Sequence, residues 1–277
     1  MSDRVILASS RDHSYDFFSP LSAMIWRRLV GFDVTVLLID TPEEWRDSHS
    51  QVVLDALRIA EADVRWIGRI EGYESATCAQ ASRQHAAALP FPGDEWLMTS
   101  DVDLWPTSKD FYRQHVGCGK DVGIYYANAY EYKYHCTSHV TMKSDTWREV
   151  MKIDPSLGLA GNLQRSFDRN LGRGADSWKA WNFDEMYFMS RLKMWGGYPN
   201  QCLFVDRPGH PPKDRIDRSS WPGDLSISGK VDSHLIRPGA LHENWVRLRP
   251  LLAQLIPDSM GWADDYLTKY RIARYRS

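Results

Sequence analysis

Glu95-Trp96-Leu97-Met98-Thr99-Ser100-Asp101-Val102-Asp103-Leu104-Trp105-Pro106 decides how this chain is read. Residues 96–98 form a short apolar run of the kind a buried strand needs, and the polar turn behind it ends at a proline that cannot continue a sheet. The carboxylates therefore stand at a strand exit. Side chains at i and i+2 of an extended strand stand about 7 Å apart, so one ion can be gripped by both Asp101 and Asp103 only where the strand ends and the backbone turns. Two hard oxygen ligands this close suit Mg²⁺ or Mn²⁺, which keeps water or phosphate oxygens in its other positions. The implied partner is a diphosphate. An Asp-x-Asp triplet alone arises by chance about once or twice in a chain this rich in Asp, and a solvated loop is the plain alternative. Context raises it: the triplet follows an apolar strand about a third of the way along, after three strand-like segments that alternate with helical ones.

Those segments predict a parallel sheet. Residues 5–8 are a continuous apolar run that breaks at Ser9-Ser10-Arg11-Asp12-His13, and a helix follows through residues 20–29, stopped by Gly31. Strand 34–39 ends in Asp40-Thr41-Pro42, and Pro42 is expected to open a helix with Glu43 and Glu44 in its first turn. A third strand covers residues 64–70, and an alanine-rich helix covers 75–89, carrying Arg83, which can reach a phosphate or simply solvate a helix face. Parallel strands require crossovers, usually helical, and such sheets bind ligands beyond the strands' carboxyl ends. Ser9, Ser10, Arg11, Asp40, Asp101 and Asp103 all fall on that edge.

Further strands are expected over 121–129, 138–142 and 203–205, with a helix from residue 145. Residues 154–176 read as a long irregular excursion, because Gly, Asn, Arg and Ser break any sustained period. Asn182 can cap a helix whose first turn holds Asp184 and Glu185; acids there usually serve the helix dipole, but Trp178 and Trp181 wall them with apolar surface, and a desolvated carboxylate is a better base. Residues 210–230 are rich in Pro, Ser, Arg and Asp, as flexible lids are. Beyond them, His234, or less readily His242, is placed to complete a Mn²⁺ coordination sphere. Residues 251–270 read as helices, with a basic end at Arg271, Arg274 and Arg276.

The chain has 277 residues, a net charge of −2, 43% hydrophobic and 25% charged residues, an ordinary composition for one large domain. With no basic excess, little draws a nucleic acid. Cys78, Cys118, Cys136 and Cys202 lie far apart with no Cys-x-x-Cys spacing and read as free thiols of a reducing compartment. No signal-peptide pattern or membrane-length apolar run is present, so a soluble, cytoplasmic protein is expected.

Taken together, the Ser100-Asp101-Val102-Asp103 turn, the Phe183-Asp184-Glu185 helix start and the late His234-Leu235-Ile236-Arg237-Pro238-Gly239 resemble the GT-A superfamily of nucleotide-sugar glycosyltransferases, over residues 5 to about 245. The resemblance implies an α/β, Rossmann-like, mostly parallel sheet flanked by helices in a single domain. That domain would be residues 1–250, with a nucleotide-binding half (1–105), an acceptor half (106–250) and a helical extension (251–277) packed on it. It implies transfer of a sugar from a UDP-sugar donor to a carbohydrate or other hydroxyl acceptor, with Asp101, Asp103 and His234 holding Mn²⁺ or Mg²⁺ on the diphosphate. Ser9, Ser10, Arg11, Asp40, Arg83, Ser100 and Val102 would lie around the donor, and Asp184 or Glu185 beneath the sugar. No acidic residue precedes that pair as it does in some inverting members, so the base stays open between the two, Asp184 first; inversion is favoured over retention. Tyr125, Tyr126, Tyr130, Trp147, Trp178 and Trp181 are candidates for an acceptor platform. A metal-dependent nucleotidyltransferase, a sugar-nucleotide hydrolase and a non-catalytic sugar- or nucleotide-binding module are the alternatives.

Overall fold

In a computed structural model that describes residues 3–275, alternate residues of the first strand go to opposite cores. Val5 and Leu7 of β1 (Asp3–Ser9) join one buried cluster, Ile6 and Ala8 the other. A strand with both faces apolar must be covered on both sides, which is why the sheet carries helices above and below. β1 pairs in parallel with β2 (Asp33–Ile39) and with β4 (Trp96–Thr99), and β2 pairs with β3 (Asp63–Gly68). The seven strands run in the order β3-β2-β1-β4-β7-β6-β8, with β6 (Val122–Tyr125), β7 (Val140–Lys143) and β8 (Cys202–Val205). Only β7 runs against its neighbours. The order reverses between β1 and β4, so a crevice opens beyond the carboxyl ends of those two strands. Ser9 and Ser10 end the first; Ser100 to Asp103 follow the second.

One core lies under α1 (Phe18–Ile25), α2 (Ser48–Ile59), α8 (His242–Leu255) and α9 (Met260–Tyr275). The other lies under α3 (Ser75–Ser82), α4 (Ser144–Met151), α5 (Gly158–Asn170) and α7 (Phe183–Lys193). α8 runs unbroken across the expected boundary at residue 250, and buried Asp16 joins α9 to the body by accepting from Tyr270 at 2.6 Å. No helix among the described residues is long and apolar enough to cross a membrane. Arg276, read as part of a basic end, lies outside the described residues.

Three local expectations fail for physical reasons. The helix placed at Pro42 starts instead at Ser48, capped by Asp47, which accepts from Ser50 N at 2.9 Å. Glu44 does cap Thr41 N at 2.8 Å, but Trp45 turns into the core and donates to Ile39 O, which ends the turn. The excursion at 154–176 contains α5, whose buried Leu159, Leu163 and Phe167 recur every four residues between polar ones. Within 210–230 the chain builds β9 (Arg215–Asp217), which joins β5 (Leu104–Pro106) and β10 (Asp232–His234) in a second, three-stranded sheet.

Ion pairing holds that small sheet against the large one. Asp232, fully buried on β10, accepts from Arg207 at 2.6 and 3.0 Å and from Arg215 at 2.8 Å twice; Arg207 also reaches Asp214 at 2.8 Å. Burial opposes the charge of Asp232, and the two guanidinium groups overcome it, holding the carboxyl far below its ordinary range. Removing the carboxylate leaves Arg215 without its acidic partner and Arg207 with Asp214 alone. Asp232→Ala is expected to lose about 3–5 kcal/mol of stability in urea titrations; a loss under about 1 kcal/mol would mean that the cluster holds nothing in place.

Candidate active site

A cavity of about 420 Å³ opens at the crevice between β1 and β4. Ser9 and Ser10 reach it because β1 ends there, and Asp101, Val102 and Asp103 because β4 turns there. Arg83, from the helical turn that continues α3, lines its floor, and Asp184 and Glu185 enter from the first turn of α7. His234 enters from the end of β10. Segments more than 200 residues apart in sequence thus meet at one sheet edge.

Arg83 is the hub. Its buried guanidinium pairs with Asp101 through a short contact and lies 3.5 Å from Asp184. Burial disfavours its charge, and the two carboxylates more than offset that, raising its pKa. Asp184 also accepts from Thr137 at 2.6 Å, while its carbonyl accepts from Gln84 at 2.9 Å. Both the side chain and the backbone of Asp184 are therefore anchored. Glu185 is half-buried, and burial, then the neighbouring Asp184 and Asp101 charges, push its pKa up to about 8. A carboxyl poised there can hold a proton at neutral pH and yield it slightly above.

On the opposite wall, Asp103 Oδ2 lies 3.5 Å from His234 Nε2, and His234 Nδ1 lies 3.5 Å from Asp217 Oδ2. Burial opposes the imidazolium, but its two carboxylate partners push the pKa of His234 up to about 9. Mg²⁺ and its like bind oxygen at about 2.1 Å, so adjacent ligand atoms around one ion stand roughly 3 Å apart. Asp103 and His234 come near that spacing. A second carboxylate on the far nitrogen is how a metal-ligating imidazole is usually oriented. His234 offers Nε2 as a ligand only after losing the proton there, and in that state the donor set at Asp103 and His234 fits a divalent ion. Asp101 lines the same cavity but faces Arg83, and among the described residues no three His, Cys, Asp or Glu side chains already converge as a ligand set.

Other expected site residues lie elsewhere. Arg11 is exposed and paired with Asp47, away from the cavity. Asp40, at a positive φ of 79°, lines a neighbouring cavity of about 580 Å³ with Arg69 and Tyr73. Ser100 is buried with its hydroxyl 3.2 Å from His139. Tyr125 cannot meet an acceptor: it is core, its hydroxyl 3.0 Å from His115 Nδ1, and Trp147 is core as well, donating to Leu97 O. Tyr126, Tyr130 and Trp181 do line the cavity, whereas Trp178 is exposed beside it and His242 begins α8 outside it. Tyr126 owes its direction to a φ of 71°, and its hydroxyl lies 2.6 Å from His210.

Sequence reading missed Tyr15, Thr137, Asp217, Arg218 and the side chain of Arg237, all on the cavity wall. The signal for one of them, Asp217, was present: Arg215-Ile216-Asp217 alternates polar and apolar as a half-buried strand does, within a segment read only as a loop.

No family model matches this chain, and no curated protein matches it. Solved structures do. An active-site mutant of LgtC superposes with a TM-score of 0.52 at 10% identity, over 92% of this chain and 95% of that one. The galactosyltransferase LgtC with donor and acceptor sugar analogs gives 0.50 at 11%, over 92% and 95%. The apo-form glycosyltransferase GlyE of Streptococcus pneumoniae TIGR4 gives 0.50 at 12%, over 97% of this chain, which spans 64% of GlyE's length. What is common at such identities is the architecture: this chain has the GT-A fold of nucleotide-sugar glycosyltransferases.

Proposed function

We propose that this protein is a glycosyltransferase that moves a sugar from a nucleoside diphosphate sugar, UDP-linked, to a hydroxyl of a carbohydrate acceptor, with Mn²⁺ or Mg²⁺ bound at Asp103 and His234. The observation that carries the reading is one cavity that gathers, at the edge where such sheets bind nucleotides, the β1 terminus, the Asp101–Asp103 turn and the Asp184–Glu185 helix start. The four free cysteines accord with a cytoplasmic site of action.

A divalent ion at this site offsets negative charge that grows on the departing diphosphate. Asp103 and His234 would hold it, and Asp217 fixes the ring of His234 so that Nε2 faces Asp103. Asp101, which lines the same cavity, would be a further ligand, with Arg83 remaining beside Asp184. Ser9, Ser10 and Val102 flank the nucleotide. Asp184, anchored by Thr137, Arg83 and Gln84, positions the start of α7. Glu185, free of such anchors to Arg or backbone, takes the proton of the acceptor hydroxyl as it attacks with inversion. Tyr126, Tyr130 and Trp181 offer aromatic faces to the acceptor ring.

Incubation with a panel of nucleotide sugars and Mn²⁺ is expected to release the nucleoside diphosphate and place the sugar on a carbohydrate acceptor. Asp103→Ala should lower that turnover at least about a hundredfold, the loss of several kcal/mol of charge stabilisation. Free sugar in place of a glycoside would indicate a hydrolase, nucleoside triphosphate and sugar 1-phosphate formed on adding pyrophosphate a nucleotidyltransferase, and no turnover with any donor a binding module.

Glu185 carries two pH predictions. With the folded pKa near 8 and an ordinary glutamate pKa of about 4.5 in the unfolded chain, the native state binds more protons than the unfolded chain in between, so stability falls as pH rises across that window. Glu185→Gln should therefore melt higher than wild type at pH 8.5 and equally at pH 4; the same difference at both would contradict the buried-acid assignment. As a base, Glu185 should make wild-type turnover rise through a pKa near 8. A flat profile, with the product's anomeric configuration matching the donor's by NMR, would assign retention instead.

A further inference from the structure

The surroundings of Asp103 hold more positive charge than its carboxylate balances. Its Oδ2 faces Arg218 at 3.1 Å, Arg237 at 3.4 Å and His234 at 3.5 Å, and the one further acid in the group is Asp217, on the far side of the His234 ring. The two arginines are held differently. Arg237 stacks over the ring of Tyr15 at 4.5 Å and donates to its hydroxyl, so its place is set whether or not Asp103 is available. Arg218 is a third exposed, lines the cavity, and among the described residues its only polar side-chain partner is Asp103. Its backbone is nevertheless fixed, because Asp217 accepts from Ser219 N at 2.9 Å and from Ser219 Oγ at 2.6 Å. The result is a partly exposed guanidinium with one side-chain partner, carried on a hydrogen-bonded turn.

Resting on the reading above, we propose that Arg218 exchanges partners: it neutralises Asp103 in the free protein and turns to a diphosphate oxygen when the ion and the nucleotide enter. A guanidinium and a divalent ion repel each other at one carboxylate oxygen, so the ion displaces it. The anion that accompanies the ion arrives on the cavity side that Arg218 already lines. A guanidinium presents a planar fork to phosphate oxygens and stays charged at any working pH, so the exchange needs side-chain rotation alone.

The test uses the full chain and Arg218→Gln, with three ligands. Mn²⁺ alone, titrated by electron paramagnetic resonance, should bind the variant at least as tightly as wild type, since a competing cation has gone. Whichever of UDP, GDP, ADP, CDP and TDP wild type binds most tightly in Mn²⁺ should bind the variant roughly ten- to hundredfold more weakly, the range for a hydrogen bond between charged groups. The matching nucleoside, followed by ligand-observed NMR, should bind both equally. Equal diphosphate affinity would overturn the exchange, and so would parallel loss of all three ligands, which marks a merely structural role. If wild type binds none of the five diphosphates, the glycosyltransferase reading itself falls and the exchange with it.

Discussion

The buried guanidinium of Arg83 joins the two halves of the site. It stands between Asp101, at the exit of a central strand, and Asp184, at the start of a helix more than 80 residues later. Burial and the nearby Asp101 charge raise the pKa of Asp184, and the guanidinium works against both. Burial first, and then the charges of Asp184 and Asp101, push the next acid, Glu185, up to about 8. One cation thus separates the roles of three neighbouring carboxyl groups: Asp101 faces the crevice, Asp184 is locked, and Glu185 is poised to titrate. This is the pattern by which a site keeps acid and base chemistry apart at one pH.

The opposite wall depends on a different constraint. Asp103, His234 and Asp217 come from three strands of the small sheet's neighbourhood, and their alignment is no better than the pairing of β5, β9 and β10. Each of those strands is only three residues long, too short for ladder hydrogen bonds to secure them alone. The Asp232 cluster supplies what the ladders lack, because Arg207 follows β8 of the large sheet and Arg215 begins β9. A buried carboxylate with two bidentate guanidinium partners fixes direction as well as distance. Electrostatics beneath the floor therefore set the geometry of the polar groups that face the cavity.

How much of this was legible in the sequence follows from what each feature depends on. The parallel strands and the Asp101–Asp103 turn were readable because their signal is local: a short apolar run, then polar turn residues. α5 was misread although its Leu159, Leu163 and Phe167 carry a helical period, since Gly158 and Gly161 argued locally for a loop. Tyr125 and Tyr126 could not be separated, because adjacent strand residues face opposite sides and only the left-handed φ at Tyr126 decides which one meets the cavity. Arg83 was seen as a cation with two possible uses. That it bridges two acids depends on a tertiary approach no local pattern encodes. The same is true of Asp217 and Arg218, whose role exists only once β9 pairs with β10.

The account rests on a divalent ion and a diphosphate meeting at the rim of the sheet. Anomalous diffraction at the manganese edge, from crystals grown with UDP and Mn²⁺, tests that directly. A peak between Asp103, His234 and the diphosphate oxygens is the predicted result. Nucleotide bound in the cavity with no peak there, or a peak away from Asp103, would contradict it.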